Sequence, residues 1–196
     1  ATESSDVEEL LCESATFLKL LLSAEFDTAR SYDWKDVLVQ MERRELVRRD
    51  AGRVVPLSDN EHAVSFLCSL LWPFVDAHWI AVLSLFSLQP RRTIGEELLV
   101  SQMQWFSEKL YFDGVITLFD ACSKESMRCA VQVLLKHFGV LQISADEKLS
   151  LTPAFQTEEA LSNFADKIAR FRKSGKNAAM SKQYVLSYFG VHRARL

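Results

Sequence analysis

Glycine is scarce in this sequence and never clustered. Gly52, Gly95, Gly114, Gly139, Gly175 and Gly190 stand alone, so there is no G-x-G-x-x-G run and no P-loop whose backbone N–H groups could close around a phosphate. A nucleotide cradle of either kind is excluded. There is also no G-x-S-x-G elbow and no H-E-x-x-H pair, the usual signatures of serine hydrolases and zinc proteases. The four cysteines, Cys12, Cys68, Cys122 and Cys129, form no C-x-x-C pair and no zinc-type spacing with histidine. Reduced, mostly buried thiols are the expectation, and no cofactor is implied. Positive charge is not in excess either: 23 Lys and Arg against 26 Asp and Glu leave a net charge of -3, which argues against general nucleic-acid binding. Only a local basic patch stays open. The acidic start, "ATESSDVEELLCESATF", has no basic region ahead of an apolar one and is no signal peptide; without an initial Met it suggests a segment of a longer chain.

What is present is a globular composition, 48% hydrophobic and 25% charged over 196 residues, enough for one domain or two small ones. Val7, Leu10, Leu11, Ala15, Leu18, Leu21 and Leu22 recur at helical spacing behind Asp6 as a candidate N-cap. A second helix is expected from Asp33 through Trp34, Val37, Leu38 and Met41, followed by a hairpin: Leu46 to Arg49, a turn at Asp50 to Gly52, then Arg53 to Leu57. Ser58 and Glu61 have capping-box spacing at the start of a long apolar helix that runs to Leu88 and stops at Pro90. Thr93 and Glu96 repeat the box ahead of a helix facing inward through Leu98, Leu99, Met103, Phe106 and Leu110 and ending near Asp113-Gly114. Ser123 is expected to cap a helix closed by Gly139, and "VLQISADEKLSLTP" reads as a second hairpin. A helix from Thr157 follows, with Leu161, Phe164, Ile168 and Phe171 on one face. The expected fold is mainly α: a helical bundle around a long central apolar helix, with two small helix-plus-β-hairpin, winged-helix-like units. The expected organisation is residues 1–62 as an N-terminal helix and helix-hairpin unit, 63–173 as the helical core, and 174–196 as linker and tail.

The stretch "LLWPFVDAHWIAVLSLFSL", Leu70 to Leu88, lies in a run, Ala63 to Leu88, that is long enough for a membrane span, yet Pro73, Asp76, His78 and several serines interrupt it, and the two tryptophans of the run lie in its middle instead of at its ends. A helix apolar all round is the pattern of a buried central helix. Asp76 and His78 are two residues apart and so point to different sides, which disfavours a catalytic pair and makes both candidate buried polar groups. Asp76 in such a helix needs a cation, a donor or water, because unpaired burial costs several kcal/mol. The densest charge lies in "RRELVRRDAGR": Arg43, Arg44, Arg48, Arg49 and Arg53 form a candidate lipid- or partner-binding face, interleaved with Glu42, Glu45 and Asp50. No aromatic is interleaved as base stacking would require, so lipid or protein is favoured over single-stranded nucleic acid.

In order along the chain, "FLCSLLWPFVDAHWIAVLSLF", "GEELLVSQMQWFSEKLYFDGVI", "CAVQVLLKHFGVLQI" and "LSLTPAFQTEEALSNFADKIARF" resemble the C-terminal region of the glycerol-3-phosphate and dihydroxyacetone-phosphate acyltransferases, nearer the mitochondrial type. The resemblance covers Phe66 to Phe171 in register and Val7 to Leu57 more loosely, and includes Pro73, Asp76 and Ala77. It implies an upstream catalytic domain whose H-x-x-x-x-D histidine acts as general base on the glycerol hydroxyl for attack on acyl-CoA. Leu67, Leu83 and Gln142 stand five positions after His62, His78 and His137, and His192 is too near the end, so that motif transfers to no residue here. What the resemblance implies is thus a non-catalytic helical domain whose partners are the catalytic acyltransferase domain and an anionic membrane surface. Acyl-CoA and glycerol 3-phosphate would enter only through the parent enzyme. A mitochondrial outer-membrane location follows from it, with the peroxisome as alternative if Ala194-Arg195-Leu196 is an S-K-L-type address. The other reading is a tandem winged-helix adaptor using the arginine-rich wing on duplex nucleic acid or protein.

Overall fold

A computed structural model describes residues 2–26, 34–50, 53–89 and 92–173. Among them seven α-helices and two hairpins follow one another: α1 (Thr2–Leu21), α2 (Trp34–Arg43), β1 (Val47–Asp50), β2 (Arg53–Pro56), α3 (Glu61–Ser69), α4 (Trp72–Ser84), α5 (Glu96–Phe112), α6 (Lys124–Lys136), β3 (Leu141–Ile143), β4 (Leu149–Leu151) and α7 (Glu158–Ala169). The chain divides into two compact units, Ala1–Leu71 and Trp72–Leu196.

In the first unit α1 begins at Thr2, ahead of the expected cap at Asp6. Phe17, Leu21, Leu22, Leu38 and Val47 are its buried apolar side chains among the described residues. The two expected strands form, β1 and β2 antiparallel with Val47 opposite Pro56 and Asp50, expected in the turn, paired with Arg53; Ala51 and Gly52 of the expected turn lie outside the described residues. The hinge between α2 and β1 is Glu45, held at φ 57, a left-handed conformation that usually falls to glycine. There Glu45 N–H returns to Glu42 O at 2.9 Å and Leu46 N–H to Met41 O at 3.0 Å, closing the end of α2.

The long central helix is not continuous. It breaks at Leu70–Leu71 into α3 and α4, and a 3-10 turn, Leu85–Leu88, completes it. Pro73 accounts for the break: it has no N–H to give the carbonyl of Ser69, and its ring crowds that carbonyl. Helix α4 restarts with Pro73 in its first turn, where that N–H is not needed. The Ser58 capping box is also absent. Ser58 lies inside a 3-10 turn, Ser58–Asn60, its hydroxyl donates to Asp59 Oδ1 at 3.3 Å, and Asn60 takes the cap position of α3 without its side chain bonding a helix N–H, its Nδ2 donating instead to the Glu45 carbonyl at 2.9 Å. Among the described residues no single helix is long and apolar enough to cross a membrane.

In the second unit α4 is the axis. From Val75 through Ser84 every residue is buried, which is why the stretch shows no polar face. Helices α5, α6 and α7 and the 3-10 turn Phe119–Cys122 pack on it. Trp79, Ile80, Leu83, Phe106, Met127 and Leu134 fill the interior, each contributing ~1.5–3 kcal/mol by leaving water. The second hairpin pairs Leu141 with Leu151, and Ile94 adds a bridge to Leu149 through N–H···O bonds of 3.0 and 2.8 Å. That bridge holds residue 94 extended, so α5 starts only after Gly95 and the Thr93 box does not form. Leu98, expected inside, is 59% exposed. Other local expectations are met: the Ser123 hydroxyl accepts from Glu125 N–H, and Gly114 and Gly139 close their helices at φ 72 and φ 58; the helix expected from Thr157 forms, and the Thr157 hydroxyl caps it by accepting from Ala160 N–H. The cysteines are not joined in disulfides; Cys12 and Cys68 are exposed, Cys129 is half-buried and only Cys122 is buried, α3, which carries Cys68, burying no residue.

Candidate functional site

The question left by Asp76 is answered from the far end of the second unit. Arg172, just past α7, places Nε 2.5 Å from Asp76 Oδ1, and both residues are almost wholly buried. Its Nη2 donates to the Val115 carbonyl at 3.1 Å, and its guanidinium carbon lies 3.6 Å from the centroid of the Trp79 ring. Charge, hydrogen bonds and an aromatic face thus all meet one planar cation, the combination that lets a buried ion pair offset its own desolvation. Burial pushes the Asp76 carboxyl above its ordinary range, and Arg172 pulls against that shift by charge and hydrogen bond. Beside the pair, Lys173 lies 5.3 Å from the Trp72 ring.

His78 turns elsewhere. Its Nδ1 is 2.9 Å from the Phe74 carbonyl one turn back, so that nitrogen carries the proton and donates. Burial, slightly opposed by this bond, lowers its pKa to about 4, so the ring is neutral near pH 7. Asp76 and His78 are therefore elements of a packed interior. An acid or base catalyst must instead reach a substrate proton.

The five arginine positions follow one another along the corner from α2 to β2 in the first unit. Arg43 ends α2, Arg44 follows it, and both are exposed. On β1, Arg49 Nε is 2.9 Å from Glu42 Oε1 and Arg48 Nη2 is 3.6 Å from Asp50 Oδ2. Arg53 occupies the register position opposite Asp50 on β2. Arg48 and Arg49 are neighbours on β1 and so point to opposite faces of the hairpin, and both already have carboxylate neighbours, at exposed sites where a pair contributes ~0–1 kcal/mol and yields readily to a competing anion. Ala194, Arg195 and Leu196 lie outside the described residues. Among the described residues, no group of three or more His, Cys, Asp or Glu is arranged to hold a metal ion.

Sequence reasoning missed three features. Arg172 lies in "ARFRK" with nothing in its spacing to separate it from Arg170 or Lys173. The outer side of α5 and the loop after it carry Leu98, Trp105, Phe112 and Phe119, 41–76% exposed, with Tyr111 edge-on to both phenylalanines. Helix α3 exposes Phe66 and Leu67.

In comparison with known proteins, the family model described as the glycerol-3-phosphate acyltransferase C-terminal region matches residues 2–143. No curated protein and no solved structure matches.

Proposed function

Since the chain belongs to the family of glycerol-3-phosphate acyltransferase C-terminal regions, we propose that it is the non-catalytic helical domain of such an enzyme, bracing the catalytic domain and holding it against a membrane. The observation that carries this reading is the family match over residues 2–143, in a chain where Asp76 and His78 of the apolar helix are buried in the core. In this reading the acyl transfer from acyl-CoA to glycerol 3-phosphate, or to dihydroxyacetone phosphate, is performed by residues of the catalytic domain. This domain supplies rigidity. Unit two is the stiff body, built on α4, and the exposed arginines of the corner meet anionic headgroups at a mitochondrial outer membrane, or at a peroxisomal one if the terminal Ala-Arg-Leu is an address.

The test is co-expression of the catalytic half with and without this chain. The expectation is a stable complex and a severalfold gain in acyl transfer. If no complex forms and activity is the same without the chain, the bracing role is wrong. For the membrane part, flotation with anionic vesicles over a salt series is expected to weaken when Arg48 and Arg49 are changed to Glu. Binding to duplex DNA with a steep salt slope, and none to vesicles, would instead support an adaptor acting through the hairpins.

A further inference from the structure

We infer that the end of this chain, residues 183–196, docks on the outer side of α5 and covers the apolar stripe there, an inference that goes beyond the bracing role and does not depend on it. Leu98, Trp105 and Phe112 follow one another at steps of seven, so they stand in one line along the helix. Phe119 joins the line through Tyr111, whose ring is edge-on to Phe112 at 5.7 Å and to Phe119 at 5.2 Å. All four are exposed, Phe112 to 76%. A continuous apolar stripe in water is the kind of surface that marks an interaction site. Its rings are already packed against one another, so they lose little freedom when covered.

Position and charge identify the occupant. Arg172 Nη2 donates to the Val115 carbonyl at 3.1 Å, so the last described residues lie beside the C-terminal end of α5, where Phe112 and Phe119 stand. Residues 174–182 can reach ~30 Å when extended, and the whole of α5 is only ~25 Å long, so every point of the stripe is accessible to the segment that follows. That segment is "QYVLSYFGVHRARL", with Tyr184, Val185, Leu186, Tyr188 and Phe189 crowded into its first half. Residues 174–196 carry Lys176, Lys182, Arg193 and Arg195 and no Asp or Glu. The face has the opposite sign. From Thr93 to Ser123, Glu96, Glu97, Glu108, Asp113 and Asp120 stand against the single cation Lys109. Glu97 is met by Arg128 at 3.2 Å, while Glu108, Asp113 and Asp120 flank Phe112 and Phe119 in sequence. An apolar segment edged with cations complements such a surface, whereas anionic headgroups and a second copy of the same acidic face are repelled by it.

The experiment is amide hydrogen exchange of the full 196-residue chain, read at residues 184–189. These amides are expected to exchange about tenfold or more slowly than in a free peptide of the same sequence. Phe112→Asp with Phe119→Asp, both at exposed positions, is expected to speed them by about fivefold or more, with unchanged circular dichroism. Asp113→Lys with Asp120→Lys is expected to speed them less and to remove the dependence on salt. Phe189→Asp leaves α5 unaltered and should speed the remaining amides as much as the double change on the face does. Exchange at the free-peptide rate in wild type overturns the proposal, and so does protection that survives both sets of α5 variants. Protection lost on dilution overturns it in favour of a tail exchanged between copies. Vesicle flotation abolished by Phe112→Asp overturns it in favour of lipid.

Discussion

Removing Arg172 leaves the Asp76 carboxylate buried with its cation gone, so Arg172→Met is the most informative single change in the second unit. The two groups meet at 2.5 Å, at 5% and 6% side-chain exposure, and nothing of the pair is left to solvent screening. Breaking such a pair from one side costs ~3–5 kcal/mol. For a chain of this length ~2–4 °C of Tm accompanies each kcal/mol, so a fall of roughly 6–20 °C is expected. Asp76→Asn keeps an oxygen for Arg172 Nε to bond and should cost less than Arg172→Met. The double variant should cost clearly less than the sum of the singles, with a coupling of ~2 kcal/mol or more, because the second change removes the charge stranded by the first. A pH series adds a sign. Without Arg172 nothing opposes the upward push of burial on Asp76, so its folded pKa stands further above the unfolded value. The folded variant then binds a proton more readily, and its deficit shrinks as pH falls from neutral toward ~4. Urea unfolding of wild type, both singles and the double at three pH values measures all of this. An Arg172→Met cost under ~1 kcal/mol, or strict additivity in the double, would refute the account of the pair as a coupled, desolvated clasp.

His78 sets the acid limit. Its folded pKa of about 4 lies below the unfolded 6.5, so the stability of burying a neutral ring is complete above pH 6.5 and is lost as pH falls toward 4. The loss amounts to ~3 kcal/mol at 1.36 kcal/mol per pKa unit, and urea midpoints that decline over this window in wild type but stay flatter in His78→Gln will confirm it. The helix starts offer a contrast of their own: Thr157→Ala should cost ~1 kcal/mol by removing the bond to Ala160 N–H, whereas Ser58→Ala and Thr93→Ala should stay within ~0.5 kcal/mol because neither hydroxyl caps a helix. Equal losses at all three sites in thermal unfolding would contradict the observed caps.

What could be read from the chain alone was whatever acts within a turn or two. The helix and hairpin order, the caps at Ser123 and Thr157, the stops at Gly114 and Gly139, and the buried character of α4 all follow from periodicity and local backbone chemistry, and the succession of apolar segments carried the family. Local reading went wrong where a distant strand or a ring intervened. The Ile94–Leu149 bridge displaced the start of α5, and Pro73, which the expected long helix had to run through, divided it and took the first turn of α4 instead.

Composition told that Asp76 required a partner, and tertiary structure alone decided which. Arg172 lies 96 residues further on, and its choice over neighbouring cations depends on how α7 closes against α4. The same division holds for surfaces. Spacing shows that Leu98, Trp105 and Phe112 share a side, but whether that side is covered depends on every other element of the domain. Periodicity specifies which residues face together, since it is a property of one helix; burial and ion pairing arise between helices, where the loops that join them carry no code for the contact.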